Sequence, residues 1–194
     1  MGLVVAGGGI TMEIQSALRW LQETSLANGI RNSLLLFPLL EAVHVFGLAL
    51  VVGTITVIDL RLLGLASTRR PFHVMASDIL KWTWVAFAIT VCAGALMFTT
   101  NAQVYFANFY FRVKVGLLAL AGLNVMLFHL TAYRRLERWD REPSAPAIGR
   151  IAAAASLVIW IAIIFSGRMI GFTTTRAAVP EPPPDVNLEE LLFK

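Results

Sequence analysis

Residues 34–58 read LLLFPLLEAVHVFGLALVVGTITVI, 25 residues in which only Glu41 and His44 are ionisable. An α-helix rises about 1.5 Å per residue, and about 20 apolar residues cross the hydrocarbon of a bilayer. This stretch therefore predicts a membrane-spanning helix, with its helical pattern running on past Asp59 and Arg61 to about Leu63. Pro38 near its start is a candidate kink. Three more blocks of the same kind follow, over residues 80–100, 112–133 and 151–172. The expected fold is an all-α, four-helix transmembrane bundle.

The composition agrees. Of 194 residues, 57% are hydrophobic and 14% charged, and the mean hydropathy is +0.71. Soluble domains carry about 25% charged residues, so a soluble enzyme and a disordered chain are excluded. The single cysteine, Cys92, excludes an intrachain disulfide framework. A net charge of +4 does not point to nucleic acid here, because basic excess in such a chain marks loops on the cytoplasmic side. Residues 61–81 hold four Lys or Arg, residues 134–150 hold five, and residues 99–111 hold none. The expected placement is a bacterial inner (cell) membrane, multi-pass, with both termini on the exterior, periplasmic side.

The flanks read differently. Residues 1–11, MGLVVAGGGIT, lack the basic start of a signal peptide and are expected to be a flexible tail, with Met12 an alternative start. Residues 12–27 place Ile14, Leu18 and Leu21 at helical spacing against Glu13, Gln15 and Glu23. That pattern predicts an amphipathic helix on the membrane surface. Residues 67–78 are expected to form a polar loop, with Ser77 or Asp78 capping the second span and His73 solvated. Residues 101–111 read as an interfacial loop or short surface helix. Residues 174–194, with VPEPPP, read as a proline-rich tail.

Few residues can carry chemistry. Glu41 and His44 stand three apart, on one helical face, inside a span where ionisable groups are costly and usually turned inward. One reading is an axial ligand with a proton-handling partner; the other is a Glu–His hydrogen bond fastening two helices. His129, with Ala119, Gly122 and Met126 along one side of the third span, is a second candidate ligand or an interfacial histidine reaching water. The two histidines are expected to differ by about 10 Å in depth if the helices stand upright. Lys114 either snorkels to the headgroups or faces the bundle. Arg168, in SGRMIGF, is a candidate partner for a haem propionate, for a substrate carboxylate or for Glu41, or it snorkels. Asp59 and Arg61, two residues apart, are expected to pair with other helices or with lipid headgroups. Met97, Met126 and Met169 would suit copper(I) if they met His44, and would equally fill gaps in an apolar core. No phosphate loop, zinc-protease or nucleophile motif is present.

At these residues the chain resembles a known family. The segment WLQETSLANGIRNSLLLFPLLEAVHVFGLALVVGTITVIDLRLLGLA, then KWTW, FRVKVGLLALAGLNVMLFHLTAYR, WD and GRMIGFT, looks like a family of bacterial four-span membrane proteins described as copper-resistance-D-like. The likeness covers residues 20–173. A more distant similarity is to the HemJ-type protoporphyrinogen oxidases, small membrane proteins that bind haem b. His44, Gly53 and Arg61-Leu62 follow that pattern in order, and Lys114 and His129 occupy comparable places on a later span, although Val115 stands where the pattern has Leu. The resemblance implies haem b held by His44 and His129 with Lys114 nearby, and an oxidoreductase or electron-transfer role; the residue reading adds Glu41 to orient His44 or move a proton and Arg168 to meet a propionate. The alternatives are a copper-handling or small-solute transport protein without haem, and a structural membrane subunit. The expected partners are the lipid bilayer, a redox partner and a second copy of the chain, since Gly and Ala in the spans favour close helix association.

Overall fold

The computed structural model describes residues 3–178, with side chains over 12–174. All its regular elements are helices: α1 (Leu3–Glu23), α2 (Ser25–Asn32), α3 (Leu36–Leu63), α4 (Phe72–Thr100), α5 (Ala102–Ala107), α6 (Phe109–Leu130), a 3-10 helix (Tyr133–Arg138) and α7 (Ala147–Ala178). Four of them, α3, α4, α6 and residues Ala147–Thr174 of α7, are long and apolar enough to cross a bilayer. Large apolar side chains such as Phe46, Leu50, Trp82, Val158 and Phe165 stand on the outer surface of these spans. Water would penalise such a surface and lipid does not. The chain is a multi-pass membrane protein.

The spans form two antiparallel pairs, α3 with α4 and α6 with α7, joined along α3 and α7. The start of α3 and the end of α7 share one end of the bundle with α5, here the α5 end. The α3–α4 and α6–α7 loops share the other, the Arg61 end. One apolar cluster, with Val51, Ala86, Ile159, Trp160 and Ile163, fills the middle. A second, with Ile58, Leu62, Phe72, Trp139 and Ala145, fills the Arg61 end.

Local chemistry explains the boundaries. Pro38 lies in the first turn of α3, where its missing N–H has no intrahelical partner, so the helix absorbs it. Gly64 closes α3 in the left-handed region at φ 79°, and Leu65 N donates to Leu60 O at 2.9 Å. A Cβ on Gly64 would also lie 2.8 Å from Ser144 Cβ, so glycine is required there twice over. Asn108 caps α6, its side-chain oxygen accepting from Tyr110 N and Phe111 N, while its Nδ2 donates to Thr173 Oγ1 of α7 at 2.8 Å.

Several boundaries differ from the sequence reading: the third and fourth spans run Phe109–Leu130 and Ala147–Ala178, not 112–133 and 151–172. The first helix opens at Leu3, not at Met12, so residues 3–11 continue the amphipathic helix. It stops at Glu23, because Thr24 turns extended and caps α2 by accepting from Ala27 N. The second span opens at Phe72, not near residue 80, and neither Ser77 nor Asp78 caps it. Its cap comes from the other loop: Asp140 Oδ1 accepts from His73 N at 2.8 Å and Asp140 O from Phe72 N at 3.0 Å. His73 is thereby a helix residue and not a loop residue; its side chain stays exposed, with the ring paired to Asp140 Oδ2 at 2.7 Å. The proline-rich stretch of the tail lies outside the described residues.

Arg61 ties this end together. It is fully buried, and its guanidinium donates to the carbonyls of Arg70, Pro143, Asp140 and Glu142, with its shortest bonds at 3.0 Å. Arg61 therefore pairs with neither a helix nor a lipid headgroup; it binds both loops. A planar fork with five donors suits several carbonyls in a way an ammonium cannot. Trp139 Nε1, buried beside Phe72, donates to Ala132 O at 3.0 Å.

Arg61→Lys removes the fork and leaves carbonyls unpaired, a loss of about 3 kcal/mol. In detergent it lowers Tm by roughly 6–12 °C; an unchanged melt contradicts this role. Burial pushes the Asp140 carboxyl up, but the hydrogen bonds from the His73 backbone and ring, with the charges of His73 and Arg141, outweigh it and hold the group below its ordinary value. A depressed carboxyl stabilises the fold above its unfolded-state pKa, and that contribution disappears as pH falls through the folded-state value. Melts of wild type and Asp140→Asn therefore differ at neutral pH and converge in acid below about pH 4.

Candidate functional site

The site lies toward the α5 end, where α3 meets α4. His44, Gly47, Val51 and Thr54 recur at helical spacing, and the contacts of His44, Gly47 and Thr54 with α4 set this stripe against that helix. The approach is close because glycines stand at the contact. A Cβ on Gly47 would overlap Thr90 Oγ1, and one on Gly94 would lie 2.8 Å from His44 Cε1. Thr90 Oγ1 donates to Ala86 O at 2.7 Å, and Thr83 Oγ1 donates to Thr54 Oγ1 at 2.9 Å, so these hydroxyls are satisfied within the pair.

His44 Nδ1 lies 2.8 Å from the Thr90 carbonyl oxygen. A carbonyl only accepts, so Nδ1 carries the hydrogen, and in the neutral ring Nε2 keeps its lone pair. Glu41, one turn toward the α5 end, makes no hydrogen bond to the ring, so the Glu–His clasp is replaced by a bond to backbone. Glu41 acts on His44 and on Tyr105 of α5 through its charge. Tyr105 packs with Phe98 and Phe111, whose rings stack at 5.2 Å.

Lys114 faces the bundle. Its side chain is partly buried and runs over Gly167 of α7, where a Cβ would lie 3.4 Å from Nζ. Its charge acts on His44. Among the described residues no carboxylate lies within ion-pair distance of Lys114. The structure thus gathers Glu41, His44 and Lys114 toward one end, and adds Tyr105, Thr90, Gly94 and Gly167, which the sequence reading did not single out. A backbone carbonyl and two glycine gaps carry no mark in the sequence; Tyr105 had only its place in an aromatic run.

Arg168 and His129 are placed elsewhere. Arg168 is exposed, with its guanidinium 4.5 Å from the Phe172 ring, one turn closer to the α5 end. This is a snorkelling arginine. His129 is exposed near the Arg61 end; its Nδ1 donates to Val125 O at 2.9 Å and its ring lies 5.0 Å from Tyr133. His44 is eight residues into α3 and His129 twenty into α6, counted from the same end. Their depths therefore differ by about 18 Å, and the two do not form one centre. Met126 is exposed, and no group of three or more His, Cys, Asp or Glu among the described residues could hold a metal ion.

Two antiparallel helix pairs with an inward histidine and lysine define a polytopic α-helical membrane protein with a polar site inside one half of its bundle. Residues 24–173 match a family profile, DUF6644, a family of unknown function, and the chain belongs to that family. No curated protein and no solved structure matches it.

Tyr105 gives a direct check on this grouping. Burial, and then the charge of Glu41, push its phenol above the usual value of about 10. In an ultraviolet titration Tyr105, identified by its loss in Tyr105→Phe, ionises above free tyrosine. Glu41→Gln moves it only part of the way back, because burial is the larger cause. Full return to the free value in Glu41→Gln contradicts the packing described here.

Proposed function

We propose that the chain is a membrane haem b-binding protein acting in electron transfer or porphyrin-linked redox chemistry, with His44 as its iron ligand. The observation that carries this reading is the bond from His44 Nδ1–H to the Thr90 carbonyl. Metal-bound histidines almost always donate their other ring N–H in this way, which fixes the tautomer and presents Nε2 to the metal. A porphyrin supplies four of the iron's ligands itself, so one well-oriented histidine suffices. Copper(I) would need several soft donors gathered around His44, and Met126, exposed on α6, is turned away from such a set.

The chain's other residues take supporting roles. Lys114, with no carboxylate within ion-pair distance among the described residues, would hold an anionic edge of the ligand such as a propionate. Glu41 sets the local charge beside His44 and Tyr105 and exchanges protons with the α5 end. Gly94 leaves room for the imidazole. When bound, haem supplies one-electron redox chemistry. His129 lies outside this site, and Arg168 is directed toward the headgroups. In the orientation that loop charge favours, the Arg61 end faces the cytoplasm and the His44 site lies in the outer half of a bacterial cell membrane.

The test is an absorption spectrum of detergent-purified protein expressed with haemin, oxidised and then dithionite-reduced. A Soret band with sharp reduced α and β bands is expected in wild type, His129→Ala and Arg168→Ala. His44→Ala loses them, and Lys114→Met retains less haem, by about tenfold in affinity if one charge-assisted contact is lost. A colourless, folded wild type overturns the reading.

A further inference from the structure

Outside that site, one buried carboxyl among the described residues keeps an oxygen that makes no hydrogen bond. Asp59 sits on α3 and is 5% exposed, and its Oδ2 makes no hydrogen bond. It is fifteen residues from His44 on the same helix, about 22 Å along the axis, so the inference stands apart from the haem reading. Ser156 of α7, itself buried, hydrogen-bonds the carboxyl, and no cation does. Asp59 therefore lies in the seam between α3 and α7, the contact that joins the two helix pairs.

The surrounding charges and polar groups are all committed. Arg61, two residues on, spends its donors on loop carbonyls. On α4, Thr83 is bonded to Thr54 and to Ile79 O, and Thr90 to Ala86 O. On α6, Asn124 donates to Ala152 O of α7 at 2.9 Å. No lysine, arginine or histidine of α4, α6 or α7 acts on the Asp59 carboxyl. A carboxylate met by one hydroxyl and no cation is strongly disfavoured in such a place, and the ligand that removes its charge without needing space is a proton. We propose that Asp59 is a proton-binding site in the α3–α7 seam, and that its proton keeps the two helix pairs closed on one another. Loss of the proton places a lone charge between α3 and α7, and the seam loosens and takes up water.

Infrared spectroscopy of the full chain in detergent, with aspartate carboxyls isotopically labelled, tests this without any substitution. The label also enters Asp78, Asp140 and Asp185, so a labelled C=O stretch of a protonated acid is assigned to Asp59 by its loss in Asp59→Asn. The expected result is that band at neutral pH, absent from Asp59→Asn. On alkaline titration it disappears together with faster amide exchange in α3 and α7, and Asp59→Asn, a neutral isostere, lacks that alkaline loosening. Absence of the band in neutral wild type overturns the proposal. So does an exchange profile that does not change as the band is lost.

Discussion

A guanidinium with no carboxylate beside it holds this bundle in register. Arg61 is wholly buried, and its charge is met by carbonyl dipoles from both loops of one end. Carbonyls in irregular loops near a membrane must find donors, since lipid offers none. One arginine meets that demand for several at once. Because the α3–α4 loop is thereby clamped to the α6–α7 loop, the end of α3 is fixed against the starts of α4 and α7. Phe72, Trp139 and Ala145 then pack around the same point. The phase of α3, and with it which neighbours His44 and Asp59 meet, follows from that anchorage.

The two ends of the bundle obey different rules. At the Arg61 end the buried Arg61 and Trp139 spend their side-chain donors on backbone carbonyls. Toward the α5 end and in the seam, polar groups are left over: a histidine nitrogen, a lysine ammonium and one carboxyl oxygen. Their environment is costly for them, and structure alone gives no return for it. That asymmetry is why the proposed chemistry is placed around His44 and Asp59 and not around the more numerous arginines of the loops.

The spans were legible in the sequence because hydrophobicity is local and additive along a helix. Glu41, His44 and Lys114 were legible because an ionisable residue inside an apolar run is conspicuous. What remained hidden depends on partners far along the chain. The start of α4 is capped by Asp140, 67 residues from His73, so no nearby residue signals it. Lys114 and Arg168 look alike as interfacial cations. The inward turn of one and the outward turn of the other depend on Gly167 facing α6, a rotational phase that neither segment states alone. His129 has small neighbours on its own helix, but periodicity does not say whether that side meets protein or lipid. His44 is held by a backbone carbonyl, which has no sequence signature at all.

The central claim is that one histidine, His44, presents an oriented nitrogen to haem iron inside the bundle. The most direct measurement is a titration of the cofactor-free protein with haemin in detergent, followed at the Soret band. Saturation at one haem per chain is expected, unchanged in His129→Ala and abolished in His44→Ala. Saturable binding that survives loss of His44, or none in wild type, would contradict it.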